Sequence, residues 1–241
     1  MIKKIVREFR DAVYSIIFFS RKTVEIEGVR LIAREPTISK RMFYILNRGY
    51  ERGDAIRAGR FLVPSDRVLE VGSSISFMAL YCKLRIGISD YVMVEANADV
   101  CDLARRNFAF NKLDAPNNVN AAVCSSHRPV LFNKNREFWS SSISNRRGTQ
   151  EAVVLNGESL ETIISDLEFS PNTLIMDIEG AEVEIPIDYF GAFEKIIIEV
   201  HPTLTGQKSV DRLLTELAGS GFETVDRLGA SYALVRHGAA R

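Results

Sequence analysis

Residues 66–95, DRVLEVGSSISFMALYCKLRIGISDYVMVE, constrain this chain more than any other stretch. An apolar pair, Val68-Leu69, runs into Glu70, Val71 and a sharp-turn glycine, Gly72. Ser73 and Ser74 lead through Ile75 and Ser76 into a helical pattern of Phe77, Met78, Leu80, Tyr81 and Leu84. A second apolar run, Tyr91-Val92-Met93-Val94, ends on Glu95. Strand, tight turn, helix, strand and acid make the first half of a nucleotide-binding βαβ unit. Glu95 follows Gly72 by 23 positions, where a carboxylate at a strand tip can hydrogen-bond a ribose diol.

The rest of the chain continues that alternation. Residues 23–33 alternate apolar and polar around Glu27-Gly28, the pattern of a hairpin. Residues 39–60 are helical in part, and 62–66 turn into the first core strand. Ala96-Asn97-Ala98-Asp99 caps a helix carrying Val100, Leu103, Ala104 and Phe108. Residues 119–123, 130–132 and 152–155 read as strands, and Ser159 opens another helix. Core strands follow at 174–177 and 195–200, then a helix at 209–218 and two strands joined by Leu228-Gly229-Ala230. The expected fold class is α/β: a Rossmann-like, mostly parallel sheet with a C-terminal antiparallel hairpin and helices on both faces. No linker composition sets residues 1–60 apart. The expected organisation is therefore one domain over 1–241, with 1–60 a helical and hairpin cap on a 61–241 core.

Apolar residues make up 46% and charged residues 26% of the 241, enough for one substantial core in a globular protein. Lys+Arg and Asp+Glu each number 31, so no global field attracts nucleic acid, and none is expected as a partner. Cys82, Cys101 and Cys124 fit no compact metal knuckle and read as reduced, buried thiols of a cytoplasmic protein. No apolar run is long enough to span a membrane. Residues 1–24 interleave Ile2, Ile5, Val6, Phe9 and Val13 with Lys3, Lys4, Arg7 and Arg10. That pattern suits a helix docked on the domain, or one in peripheral contact with a membrane or partner.

Open α/β sheets bind ligands at the carboxyl ends of their strands. Four such ends carry acids after buried apolar runs: Glu70/Gly72, Glu95, Asp177/Glu179 and Glu199/His201. Unpaired carboxylates are costly there, so their clustering points to a site. A dinucleotide site needs further glycines to admit a pyrophosphate, yet only Gly72 is present in the turn, and no phosphate loop occurs elsewhere. The implied ligand has a ribose and no pyrophosphate, and Glu70 suits an ammonium group beside it. S-adenosylmethionine meets these conditions. A nicotinamide-dependent oxidoreductase is disfavoured by the missing glycines.

VLEVGSSIS (68–76), MVEAN (93–97), SSSIS (140–144), LIMDIEGAE (174–182) and IIIEVHP (196–202) resemble the FkbM family of S-adenosylmethionine-dependent methyltransferases. Tyr50-Glu51 and residues 154–164 fit the same pattern, so the resemblance runs over residues 48–202. It implies a seven-stranded class I methyltransferase sheet and methyl transfer to a hydroxyl oxygen of a small-molecule, sugar, polysaccharide or polyketide acceptor. It also implies that Glu70, Gly72, Ser73 and Ser74 hold the methionine part of the cofactor. Glu95 then binds the ribose, Ala96 and Asn97 flank the adenosine, and Asp177 and Glu179 border the methyl group and acceptor. The chain departs from the usual D-V-G-A-N-x-G at Glu70, Ser74 and Ser76. Ser76, which brings a Cβ where the pattern has glycine, is the residue that keeps a non-catalytic ligand- or partner-binding relative as the alternative.

An alcohol nucleophile benefits from a base within hydrogen-bond reach, and Asp177 or His201 is expected to supply it. Trp139 and the serines after it are candidates for a flap. Spacing shows no third ligand beside Asp177 and Glu179, so no metal is expected.

Overall fold

Three central strands, β3 (Val68–Val71), β4 (Tyr91–Val94) and β9 (Thr173–Met176), are buried at every position. A strand apolar on both faces has to be covered on both, and the chain does this with helices. In this computed structural model the described residues are 21–134 and 151–239, together with Val13 and Ile143. The helix expected over 1–24 and the Trp139 flap lie outside them.

β3, β4 and β9 join β5 (Asn117–Val119), β10 (Lys195–Glu199), β11 (Phe222–Leu228) and β12 (Ser231–Arg236) in one seven-stranded sheet. Its order is β11-β12-β10-β9-β3-β4-β5. Neighbours run parallel from β5 to β10, whereas β12 is antiparallel to both β10 and β11. The expected mostly parallel sheet with a closing antiparallel hairpin is what forms.

Period-two alternation sorts each central strand between two cores. Val68, Tyr91, Met93, Ile175 and Ile197 face one cluster with Leu31, Met42, Phe43 and Phe77. Leu69, Val71, Val92, Val94, Leu174 and Met176 face the other, with Leu160, Phe190, Leu213 and Leu217. The first cluster belongs to the hairpin β1 (Thr23–Ile26) and β2 (Val29–Ile32), and to α1 (Lys40–Asn47), α2 (Arg52–Phe61), α3 (Phe77–Tyr81) and α4 (Ala98–Phe110). The second is covered by α5 (Leu160–Ser165) and α7 (Gln207–Gly219); the short α6 (Pro202–Thr205) precedes α7 and buries no residue.

Polar side chains tie the N-terminal elements to the sheet. The fully buried Asn107 of α4 accepts from Ile32 N at 2.8 Å and donates to Ile75 O at 3.0 Å. Arg57 of α2, 2% exposed, reaches Asp54, Asp226 and Ser231 Oγ at 2.9, 3.0 and 2.5 Å. A buried guanidinium needs such a full set of partners.

One expected element divides. Residues 119–123 are not a single strand: β5 stops at Val119, and β6 (Ala122–Cys124) pairs with β8 (Glu151–Ser159) in a separate sheet, order β6-β8-β7, with β7 at Arg128–Lys134. The break is at Asn120, whose side chain donates to Glu95 O at 2.8 Å and Ala96 O at 3.0 Å. That side chain turns the strand away at the tip of β4.

Candidate active site

The sheet reverses its direction of growth between β3 and β9, the switch point where α/β proteins bind ligands. Gly72 leaves β3 there with φ +87°, and Asp177 leaves β9 beside it, its N–H donating to Val71 O at 2.9 Å. The turn continues through Ser74 (φ 49°) and Ser76 (φ 67°), both left-handed although neither is glycine. Gly72 N and Ser73 N both donate to Val94 O, at 2.9 and 3.1 Å, which fastens the turn to the end of β4.

An open cleft of ≈ 590 Å³, its mouth included, begins at this turn. Its walls include Val94, Ala121, Ala122, Val123, Phe132 and Ile143, and its polar groups include Tyr50, Ser74, Glu95, Asp177 and Glu179. Glu95 is fixed by two backbone donors: Ser74 N to Oε2 and Asn97 N to Oε1, each 2.8 Å. Burial pushes its carboxyl up from the ordinary range, while those N–H groups pull it back. Tyr50 Oη lies 3.2 Å from Ser74 Oγ and its ring packs against Phe77, which places α2's approach over the turn.

A second cleft of ≈ 380 Å³ lies on the other side of the β3 exit and shares Val71, Gly72 and Asp177 with the first. It is lined by Glu51, Asp54, Glu70, Glu199 and Ser231. Burial pushes Glu51 up to about 8 and Glu70 well above the carboxylate range. Asp177 is likewise raised by desolvation, then by the charges of Glu199, Glu179, Glu51 and Glu182. The result is a strongly acid-lined space beneath the turn.

His201, which follows β10, brings the exits of β9 and β10 together. Its Nε2 lies 3.3 Å from Glu179 Oε2 and 3.5 Å from Asp177 Oδ1. Its Nδ1 and backbone N contact Glu182 Oε1 at 3.2 and 2.9 Å, and Glu182 Oε2 accepts from Gly180 N at 2.8 Å. Burial lowers the imidazole pKa, but Glu182, Glu179 and Glu199 outweigh it and leave His201 raised.

No protein-family model and no curated protein matches the sequence. The fold has relatives among solved structures. Trm5b from Pyrococcus abyssi is similar at TM-score 0.50 and 9% identity over 90% of this chain and 55% of that one. This is the class I methyltransferase fold. The tRNA (uracil-54, C5)-methyltransferase of Pyrococcus abyssi, solved with S-adenosyl-L-homocysteine, matches at TM-score 0.49 and 14% identity over 90% and 44%. The ribosomal protein L11 methylase of Lactobacillus delbrueckii subsp. bulgaricus matches at TM-score 0.48 and 12% identity over 76% of each chain. The chain spans about half the length of the first two.

One expectation is corrected: a net charge of zero does not exclude nucleic acid as a partner. Net charge sums over all faces, whereas binding is decided by one surface.

Within this methyltransferase fold the expected site residues separate into groups. Gly72, Ser74, Glu95 and Ala96 line the first cleft with Asp177 and Glu179. Glu70 does not: it lines the second cleft, 3% exposed, and accepts from Tyr91 Oη at 2.8 Å. The reason is the strand period, which turns Glu70 to the same face as Val68 while Val71 faces the other. Ser73 is buried with an unpartnered Oγ, and Asn97 caps α4 by accepting from Asp99 N. His201 meets Asp177 and Glu179 as a third donor that spacing did not reveal.

Sequence reasoning missed Glu182 as a residue of the site. It is fully buried and accepts from the His201 backbone N–H, whereas in the sequence it stands only as the last residue of LIMDIEGAE. The available signal was an acid two residues beyond Gly180 in a run whose other acids are functional candidates. All three cysteines are free and buried, and no described helix is long and apolar enough to cross a membrane.

Proposed function

We propose that this chain is an S-adenosylmethionine-dependent methyltransferase acting on a hydroxyl oxygen of a small-molecule, sugar, polysaccharide or polyketide acceptor. The resemblance of residues 48–202 to the FkbM family supports the oxygen acceptor. The observation that carries the cofactor assignment is Glu95: both its oxygens are pinned by Ser74 N and Asn97 N at the mouth of an apolar-walled cleft. Each oxygen keeps a lone pair for a ribose hydroxyl. Ala96, Ala121, Ala122, Val123 and Phe132 give the small and apolar wall that an adenine face requires. The acid-lined space around Glu70 and Asp177 suits the methionine ammonium.

S-adenosylmethionine supplies an electrophilic methyl group whose bonding pair stays with sulfur when the acceptor oxygen takes the carbon. The protein's work is alignment of that oxygen and removal of its proton. Asp177 lines both clefts and lies 3.5 Å from His201 Nε2, and in this reading one of these two residues takes the proton. Glu182 holds the imidazole in place for this. The cap elements are part of the same domain in this reading, because Tyr50 closes over the turn. Three free buried thiols agree with a cytoplasmic setting.

Calorimetry with S-adenosylmethionine, S-adenosylhomocysteine and NAD tests the cofactor: the two sulfur nucleosides bind and NAD does not. Binding of neither nucleoside rejects the proposal. Incubating extract fractions with methyl-labelled cofactor identifies the acceptor. Label appearing only on carbon or nitrogen would exclude the hydroxyl assignment, and absence of any turnover favours the non-catalytic relative.

A further inference from the structure

Asp177, Glu179 and His201 each offer one ligand atom, and these atoms lie within 4.8 Å of one another. They come from two different strand exits, so their convergence is a property of the fold and not of a local sequence run. His201 Nε2 is 3.3 Å from Glu179 Oε2 and 3.5 Å from Asp177 Oδ1. Ligands at adjacent positions around a shared ion, with bonds of about 2.0–2.2 Å, stand about 3.0–3.5 Å apart. The two observed separations have that spacing, and 3.5 Å is long for a direct hydrogen bond.

Two further observations point to a cation. Glu182, fully buried, accepts from the His201 backbone and contacts Nδ1, the second contact that a metal-binding imidazole makes. A proton held on Nδ1 leaves Nε2 as a lone pair aimed between two carboxylates. Asp177 Oδ1 is enclosed and has no hydrogen-bond partner. An enclosed carboxylate oxygen without a donor is costly, and a cation in front of it removes that cost.

We infer that Asp177, Glu179 and His201 form a binding site for one divalent first-row metal ion. Two carboxylates and one imidazole favour an ion such as Mn²⁺, with its remaining positions open to solvent or substrate. Its function rests on the methyltransferase reading: the ion orients the acceptor oxygen and lowers its pKa. With His201 engaged as a ligand, the second oxygen of Asp177 receives the acceptor's proton, and the oxygen–methyl bond forms as the sulfur–methyl bond breaks.

The test is titration of the full chain with Mn²⁺ alone, followed by electron paramagnetic resonance, with calorimetry of S-adenosylhomocysteine run in parallel. The expected result is one bound Mn²⁺ per chain. His201→Gln and Asp177→Asn should each weaken binding at least about tenfold, and Glu182→Gln about 10–100-fold through the imidazole's orientation. Circular dichroism and thermal melting establish that each variant is folded. If His201→Asn, a second shortened variant, restores nothing and Glu182→Gln still weakens Mn²⁺, the imidazole ligand is confirmed. Folded wild-type protein that binds no Mn²⁺ at millimolar concentration, or His201→Gln binding it like wild type, overturns the site. Because nucleoside binding is read separately, loss of the metal proposal is distinguishable from failure of the cofactor proposal.

Discussion

A Cβ added to Gly72 would lie 1.8 Å from the backbone carbonyl oxygen of Asp177. The exits of β3 and β9 are therefore in contact through backbone alone, and the turn cannot be moved without moving Asp177. Gly72→Ala adds a left-handed strain of about 1–3 kcal/mol to overpacking of about 1–3 kcal/mol. The variant should melt several degrees lower and lose S-adenosylhomocysteine binding, read by scanning calorimetry and titration. Wild-type melting together with wild-type affinity would contradict this account of the turn.

Glu95 makes a subtler prediction. Both of its oxygens accept backbone N–H groups, so Glu95→Gln turns one N–H toward an amide that cannot accept it. A buried donor left unpaired costs about 1–3 kcal/mol, and the lost ribose contact adds to it. The Kd for S-adenosylhomocysteine should rise about 10-fold or more. In turnover the effect should fall on KM for the methyl donor more than on kcat, since Glu95 is remote from the transferred methyl. An unchanged KM removes Glu95 from the ribose role.

Ser76 occupies a left-handed backbone position at φ 67° and ψ 29°, is fully buried, and has an Oγ without a partner. It holds a conformation that glycine adopts freely. A non-glycine residue there costs about 1–2 kcal/mol, partly offset by glycine's greater unfolded freedom. Ser76→Gly should therefore stabilise by about 1 kcal/mol and raise Tm by about 2–4 °C. A lower Tm in that variant would show that the hydroxyl has a partner in solution.

Much of this was legible in the sequence, for reasons that differ by residue. The order of strands and helices followed from periodicity, and Gly72, Glu95, Asp177 and Glu179 followed from their positions at strand exits. Three things were hidden. Which side of the sheet Glu70 faces depends on the register of a four-residue strand, and a one-residue shift would have sent it into the first cleft. The meeting of His201 with Asp177 and Glu179 depends on the parallel pairing of β9 and β10, which matches Ile198 with Met176 and which no local pattern encodes. The second small sheet was hidden because its departure point is a single side chain, Asn120.

Asn107 links three elements at once, accepting from Ile32 N and donating to Ile75 O from within α4. Asn107→Leu keeps the γ-branched shape with a larger side chain and strands both backbone groups in a buried setting. Each costs about 1–3 kcal/mol, so urea unfolding should shift to clearly lower midpoints. Because Ile75 belongs to the glycine turn, nucleoside affinity should fall as well. Loss of stability with unchanged affinity would mean that the cap and the turn are energetically separate.

Glu70 gives the pH dependence. Burial, then the charges of Glu51 and Glu95, push its carboxyl well above the ordinary range, against the hydrogen bond from Tyr91. Tyr91, Cys82, Glu51 and Glu95 are the titratable groups that face it. In the native state Glu70 keeps its proton at pH values where the unfolded chain has released it. The stability from this group is fully present below the unfolded value of 4.5 and is lost as pH rises toward the folded value. The wild-type free energy of unfolding should thus fall between pH 5 and 8, by up to about 1.4 kcal/mol per pH unit for each such proton. Glu70→Gln is neutral throughout, so it should match wild type near pH 4.5 and exceed it at pH 8. Glu51, pushed up to about 8, titrates in the same direction and leaves the variant a residual slope. Parallel pH profiles for wild type and Glu70→Gln would show that Glu70 is ionised in the native protein and that its burial is compensated by a cation.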